Sequence, residues 1–138
     1  MRFASREWVA ALVAELNRQP DLGRALEGLP DDAAAVVESD RGFPRAAAVW
    51  GRQRGGRIAE WRLLADEDDV LELEPAYVFR APYGVWRDIL EGANPLEAAL
   101  SGRVKVEGDL EALVRRTGYR YLVDAALAAV PTEFEGGR

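Results

Sequence analysis

The sequence predicts an α+β domain in which helices come first, a run of antiparallel strands follows, and helices with one late strand close the chain. Three observations carry this. Apolar residues recur at helical spacing near both ends, they alternate with polar ones in the middle, and Gly, Pro, Asn and Asp cluster where one period gives way to the other. The 138 residues read as one domain, 1–138, without repeat, linker or low-complexity tract, and residues 132–138 read as a polar tail. A chain of that length buries roughly two-thirds of its unfolded surface, enough for a core that needs no staples.

Trp8, Val9, Leu12, Val13 and Leu16 form one helical stripe, with Ser5 placed to cap it and Pro20 just beyond its end. Leu22, Leu26 and Leu29 repeat the pattern in a shorter helix closed by Gly28 and Pro30. The period then changes. Ala33 to Ser39 and Ala46 to Arg52 are short apolar runs around a Ser39-Asp40-Arg41-Gly42 turn, the pattern of a hairpin. After a second turn at Gln53-Arg54-Gly55-Gly56, Ala59, Trp61 and Leu63 alternate with Glu60 and Arg62 as in a half-buried strand. Asp66-Glu67-Asp68-Asp69 reads as an acidic surface loop, without the glycine-containing spread of oxygens that calcium requires. Tyr77 and Phe79 alternate with Val78 and Arg80 in a fourth strand ending at Pro82.

The last third is sharply punctuated. Val85, Trp86, Ile89 and Leu90 make a helical stripe that stops at Gly92. Asn94-Pro95-Leu96-Glu97 opens another helix with a cap, a proline at the first helical position and a glutamate three residues after the cap. Gly102 ends that helix, and Arg103-Val104-Lys105-Val106-Glu107 alternates as a fifth strand. Gly108-Asp109 turns into a helix carrying Leu110, Leu113 and Val114. A final helix carries Leu122, Val123, Ala126, Leu127 and Val130.

Composition removes most chemistry. The chain has no His and no Cys, which excludes Ser–His–Asp and Cys–His catalysis, the usual zinc sites, iron–sulfur clusters and disulfides. Ser5, Ser39, Ser101, Thr117 and Thr132 are its only Ser and Thr. Carboxylate pairs such as Glu107/Asp109 and Glu72/Glu74 read as solvated surface, and Gly55-Gly56 lies between strands, where a phosphate-binding loop does not. The expectation is a non-enzyme with no cofactor and no metal. A net charge of −6 disfavours nucleic acid and stable association with anionic membrane. The longest apolar run, Ala125 to Pro131, falls far short of a bilayer-spanning helix. Nothing in the opening residues resembles a secretion signal and Glu135 to Arg138 carries no sorting tripeptide, so the cytoplasm is the expected location.

The stretch from Gly92 through Asn94-Pro95, Ala98, Ser101-Gly102 and Lys105 to Glu107-Gly108-Asp109 resembles the sterol carrier protein type-two family of lipid-binding domains. The likeness rests on an ordered set: a glycine after a helix, an Asn-Pro helix start, Ser-Gly before a basic alternating strand, and a Gly-Asp turn into the next helix. It covers Tyr77 to Ala129 best, and Ala33 to Leu64 in pattern. It implies a five-stranded, mainly antiparallel sheet covered on one face by helices, with an apolar tunnel between the layers. It also implies non-catalytic binding, or transfer, of a fatty acid, acyl-CoA, sterol-like or other apolar small molecule. In that fold the tunnel lies between Trp61 and Phe79 on the sheet and Trp86, Leu90, Leu96, Ala99, Leu100, Leu122 and Ala126 on the helices. Trp50 and Tyr121 are further candidates, and ordinary core is the other reading of every aromatic. Alanine-rich strands, Ala33 to Ala35 and Ala46 to Ala48, leave room for a ligand or let helices approach closely. A rigid empty pocket of roughly 300 Å3 costs on the order of 7 kcal/mol, so an apo form relaxes, takes up water or keeps a ligand. The alternative is an accessory or protein-interaction module using the same fold with its tunnel closed.

Overall fold

Ser5 accepts a hydrogen bond from the Trp8 amide (3.2 Å) and so starts helix α1, Arg6–Arg18. The structure is a computed structural model describing residues 1–41, 46–114 and 118–134; the side chains of residues 67, 113–114 and 118–122 lie outside the description. After α1 come α2 (Leu22–Leu26), β1 (Asp32–Glu38), β2 (Ala47–Arg54), β3 (Arg57–Leu64) and α3 (Glu67–Leu73). Then follow β4 (Tyr77–Pro82), α4 (Tyr83–Leu90), α5 (Pro95–Leu100), β5 (Lys105–Glu107), α6 (Leu110–Val114) and α7 (Gly118–Ala128). The five strands form one sheet in the order β3-β2-β1-β4-β5. Every neighbouring pair is antiparallel except β1 and β4, which run parallel. The fold is the α+β architecture the sequence predicts.

Strand alternation sorts the sheet into two faces. Ala33, Ala35 and Val37 of β1 lie level with Gly51, Val49 and Ala47 of β2 and with Tyr77, Phe79 and Ala81 of β4. Against this face pack Trp8 and Val9 of α1, Tyr83 and Trp86 of α4, Leu127 of α7, and Ala98 and Ala99 of α5. The opposite face carries Ala34, Val36, Ala48, Trp50 and Val78, packed against Val70 and Leu73 of α3. That helix corrects one expectation. Residues 66–69 open α3 and are not a loop, because the Asp66 carboxylate accepts from the Asp69 amide (3.2 Å) while Val70, 1% exposed, anchors the turn beneath the sheet. The acidic run therefore sits where the partial positive charge of a helix N-terminus favours it.

The connections behave as their sequences predict. Asn94 accepts from the Leu96 and Glu97 amides, with Pro95 in the first turn of α5. Asp109 accepts from the Ala112 amide (3.1 Å) at the start of α6. No local side chain caps α4; Asp40, from beyond β1, accepts from the Gly84 amide at 2.7 Å instead. Asp40→Ala is expected to cost about 1 kcal/mol, read as a lower urea midpoint with an unchanged slope.

The expected polar tail begins as a docked strap. Glu133 exchanges backbone hydrogen bonds with Met1 and Phe3 (2.7 and 2.8 Å), and Thr132 accepts from the Trp8 indole (2.9 Å). The Phe134 ring lies 5.7 Å from Phe3 and 6.3 Å from Tyr83. One aromatic residue, Phe134, packs this stretch against the N-terminal residues, and it stands in no periodic pattern that would announce it.

Candidate apolar binding site

The two faces of the sheet are sealed to different degrees. On the α3 side Ala34, Val36, Ala48, Trp50 and Val78 are all 4% exposed or less. On the side that carries most of the helices, Ala33 and Ala35 of the central strand, Val49 beside them and Phe79 across from them are only half-buried. On the same side Tyr77, Val37 and Ala81, at the ends of these strands, are buried, so the partial exposure is confined to the middle of the sheet. Trp61 and Leu63 of β3 and Trp86 and Leu90 of α4 are half-buried around the same space. No buried polar or charged residue occurs among the described residues, so the surroundings are apolar.

The nine residues expected at the site fall into distinct places. Trp61 and Leu90 pack against the cluster built on Trp8, Val37 and Tyr83, with the Arg6 guanidinium 5.7 Å over the Trp61 ring. Phe79 and Ala99 pack against Ala81, Ala98 and Val104, and the Phe79 ring stacks on Tyr77 at 5.8 Å. Trp86 joins the two clusters, held by a 3.0 Å hydrogen bond from its indole N–H to the Val36 carbonyl. Ala126 is fully buried in α7, and Leu96 is half-buried. The Leu122 and Tyr121 side chains lie outside the described residues.

Leu100 is a correction. Expected to face inward, it is 66% exposed, because the inward position of the six-residue α5 belongs to Ala98. Ala98 is 0% exposed, and its carbonyl accepts from the Arg103 and Val104 amides, which locks that face against the sheet. Two residues further along a helix, Leu100 is turned by about 200° to the other side. Trp50 takes the core reading: its parity puts it beneath α3, where its indole N–H donates to Asp32 (2.9 Å) and the Arg52 and Arg62 guanidiniums flank its ring at 5.0 and 5.5 Å. Sequence reading marked the alanine run of β1 as room for a ligand without saying which alanines face the helices, and it passed over Val49. The signal was there, since a run of alanines alternates faces as any strand does and half of them must face the helices.

An open polar cleft of about 660 Å3 lies at one end of the sheet among Asp32, Arg52, Gln53 and Glu74. Its polar groups are already engaged: Asp32 accepts from Trp50 and the Ala76 amide, and Gln53 donates to the carbonyls of Leu26, Leu29 and Pro30. Among the described residues no group of three or more Asp or Glu could hold a metal ion, and no helix is long and apolar enough to cross a membrane.

No protein-family model matches the chain, and no curated protein does. Solved structures do. A crystal structure of sterol carrier protein 2 superposes with a TM-score of 0.75 at 23% identity, covering 94% of this chain and 99% of that one. A conserved hypothetical protein of Thermus thermophilus superposes at 0.69 with 22% identity, over 91% and 85% of the two chains. UbiJ-SCP2, a ubiquinone synthesis protein, superposes at 0.51 with 20% identity, over 85% of each. The chain has the sterol carrier protein 2 fold.

Proposed function

We propose that the protein binds a long apolar ligand, a fatty acyl chain or a sterol-like molecule, between the central strands and the helices that cover them. The observation that carries this reading is the half-burial of Ala33, Ala35, Val49 and Phe79 on the side of those helices, while Ala34, Val36, Ala48, Trp50 and Val78 on the opposite face are 4% exposed or less. Native interiors are close-packed, so a water-accessible apolar seam in the middle of a sheet is space kept for an occupant. The likeness in fold to proteins named as sterol carriers supports the same reading. Trp61, Phe79, Trp86, Leu90 and Ala99 form the walls, with Leu96, Leu122 and Ala126 contributing from the helices. Binding of this kind breaks and makes no covalent bond and needs no cofactor. Fatty acid, acyl-CoA and sterol-like molecules share the required chemistry, and the cytoplasm is where the protein is taken to act.

An apolar seam recognises length more than head group. Each buried methylene contributes about 0.8 kcal/mol, close to a fourfold gain in affinity. Titrating delipidated protein with fatty acids of increasing length, followed by tryptophan emission, is expected to show affinity rising by that factor per carbon until the space is full. Failure of every length to bind would sink the carrier reading. Native mass spectrometry of protein from its own host then separates the alternatives: a stoichiometric protein partner with no lipid supports an accessory module.

A further inference from the structure

The outer edge of β3 lies apart from the apolar region between the central strands and the helices. β3 ends the sheet. The Gln53 amide bonds to the Asp31 carbonyl (2.8 Å) on the β1 side, so alternation turns Arg52, Trp50 and Ala48 of β2 toward β3. Their partners Glu60, Arg62 and Leu64 spend their backbone groups inward. The N–H and C=O of Trp61 and Leu63 therefore point out of the sheet, and no strand among the described residues lies beyond them. At Ile58 the same outward groups are occupied: Asn17 of α1 accepts from its N–H (2.8 Å) and donates to its C=O (3.1 Å). One side chain closes the edge at Ile58, and the stretch after it is open.

We propose that this open stretch pairs antiparallel with the β3 edge of a second copy of the chain, about a two-fold axis through Trp61. The charges choose both the occupant and the register. Glu60 and Arg62 both project from the face that carries α3, 41% and 57% exposed, and pair with each other at 3.3 Å within the chain, a solvent-exposed contact that opposite charges of a second copy can extend. In a two-fold pair centred on Trp61, Glu60 stands opposite the partner copy's Arg62, and Arg62 opposite the partner copy's Glu60. The Trp61 backbones exchange two hydrogen bonds, and regular pairing ends at Glu60, because a register shift leaves Ala59 without a partner on β2. Centring on Glu60 or on Arg62 instead sets like charges face to face, and a shift by one residue turns every side chain to the wrong side. The edge is self-complementary in one register, as an isologous contact requires. The irregularity at Ala59 and the Asn17 contact at Ile58 limit the ladder to residues 60–62. An interface that short belongs with small, reversible contacts, so the dimer forms and dissociates with concentration.

Sedimentation velocity over a concentration series tests this, with circular dichroism confirming the fold of each variant. The expected result is a monomer–dimer equilibrium that Arg62→Glu weakens about tenfold, and that Glu60→Arg weakens alike. Each variant alone sets like charges opposite one another. Mixed one to one, they restore opposite charges at both positions, and a heterodimer of wild-type strength is expected. Two monomeric variants that fail to associate when mixed overturn the proposal. So does a dimer that neither substitution touches, or a wild-type chain that stays monomeric to about 1 mM.

Discussion

Phenylalanine in place of Ala35 is expected to lower affinity for a long-chain fatty acid at least about a hundredfold without unfolding the protein. Ala35 sits at the centre of the central strand, between Val49 and Phe79, half-buried under the helices. A benzyl group there takes the room of about four methylenes, each contributing about 0.8 kcal/mol to binding. The loss is then about 3 kcal/mol, beyond two decades in Kd. The fold tolerates it because aromatic residues suit strands and the ring enters space that water already reaches. The neighbouring alanine is the control. Ala34 is 2% exposed and faces α3, so Ala34→Phe overpacks a sealed layer and costs about 1–3 kcal/mol of stability. Calorimetric titration and thermal denaturation of both variants read the contrast. Full binding by the Ala35 variant would show that the ligand goes elsewhere.

Gly108→Ala is expected to be among the most destabilising single-methyl additions, at about 3 kcal/mol or more. Gly108 lies between β5 and α6 with φ at 123°, a conformation L residues rarely adopt. A Cβ on it falls 2.6 Å from the Ala76 carbonyl oxygen and 2.6 Å from the Tyr77 ring. Neither neighbour can retreat. Ala76 is tied through its amide to Asp32 (2.9 Å), and the Tyr77 ring, 4% exposed, is stacked on Phe79 with its hydroxyl donating to the Asp109 carbonyl (2.7 Å). Backbone strain and overpacking therefore add, and equilibrium urea unfolding measures their sum. A loss below about 1 kcal/mol would mean that the β5–α6 turn rearranges freely.

Elements whose signals are local were legible in the sequence. Ser5, Asn94 and Asp109 each mark a helix start by a short side chain satisfying an amide two or three residues on, and a bond of that span leaves its pattern in the chain. What escaped depends on distant partners. α3 looks like an acidic loop because its apolar content is little more than Val70, Leu71 and Leu73, and only the sheet above gives Val70 something to bury against. Trp50 and Trp61 belong to adjacent strands and look equivalent in sequence, yet opposite parity puts one beneath α3 and the other beside α1. Leu100 failed for a geometric reason: six residues make under two turns, too few for an apolar pair to fix which side is inner. Alternation made Trp61 and Phe79 legible as strand positions, and the alanine run of β1 was legible as small residues, but which alanines face the helices depends on a parity that the run itself does not show.

The parallel join between β1 and β4 bears on how the chain closes. β1, β2 and β3 form a meander through nearby turns, but Asp32 and Ala76, bonded at the start of that join, are 44 residues apart. Doubling a loop adds only about 0.6 kcal/mol of closure entropy, so the separation weighs little on stability. It weighs on speed, because contacts distant in sequence are the slow ones to form. The floor of the seam straddles this join, Ala35 on one side and Phe79 on the other. A meander folded by itself presents only the Ala35 half of that surface, so the site proposed above is completed only when the distant β1–β4 join forms.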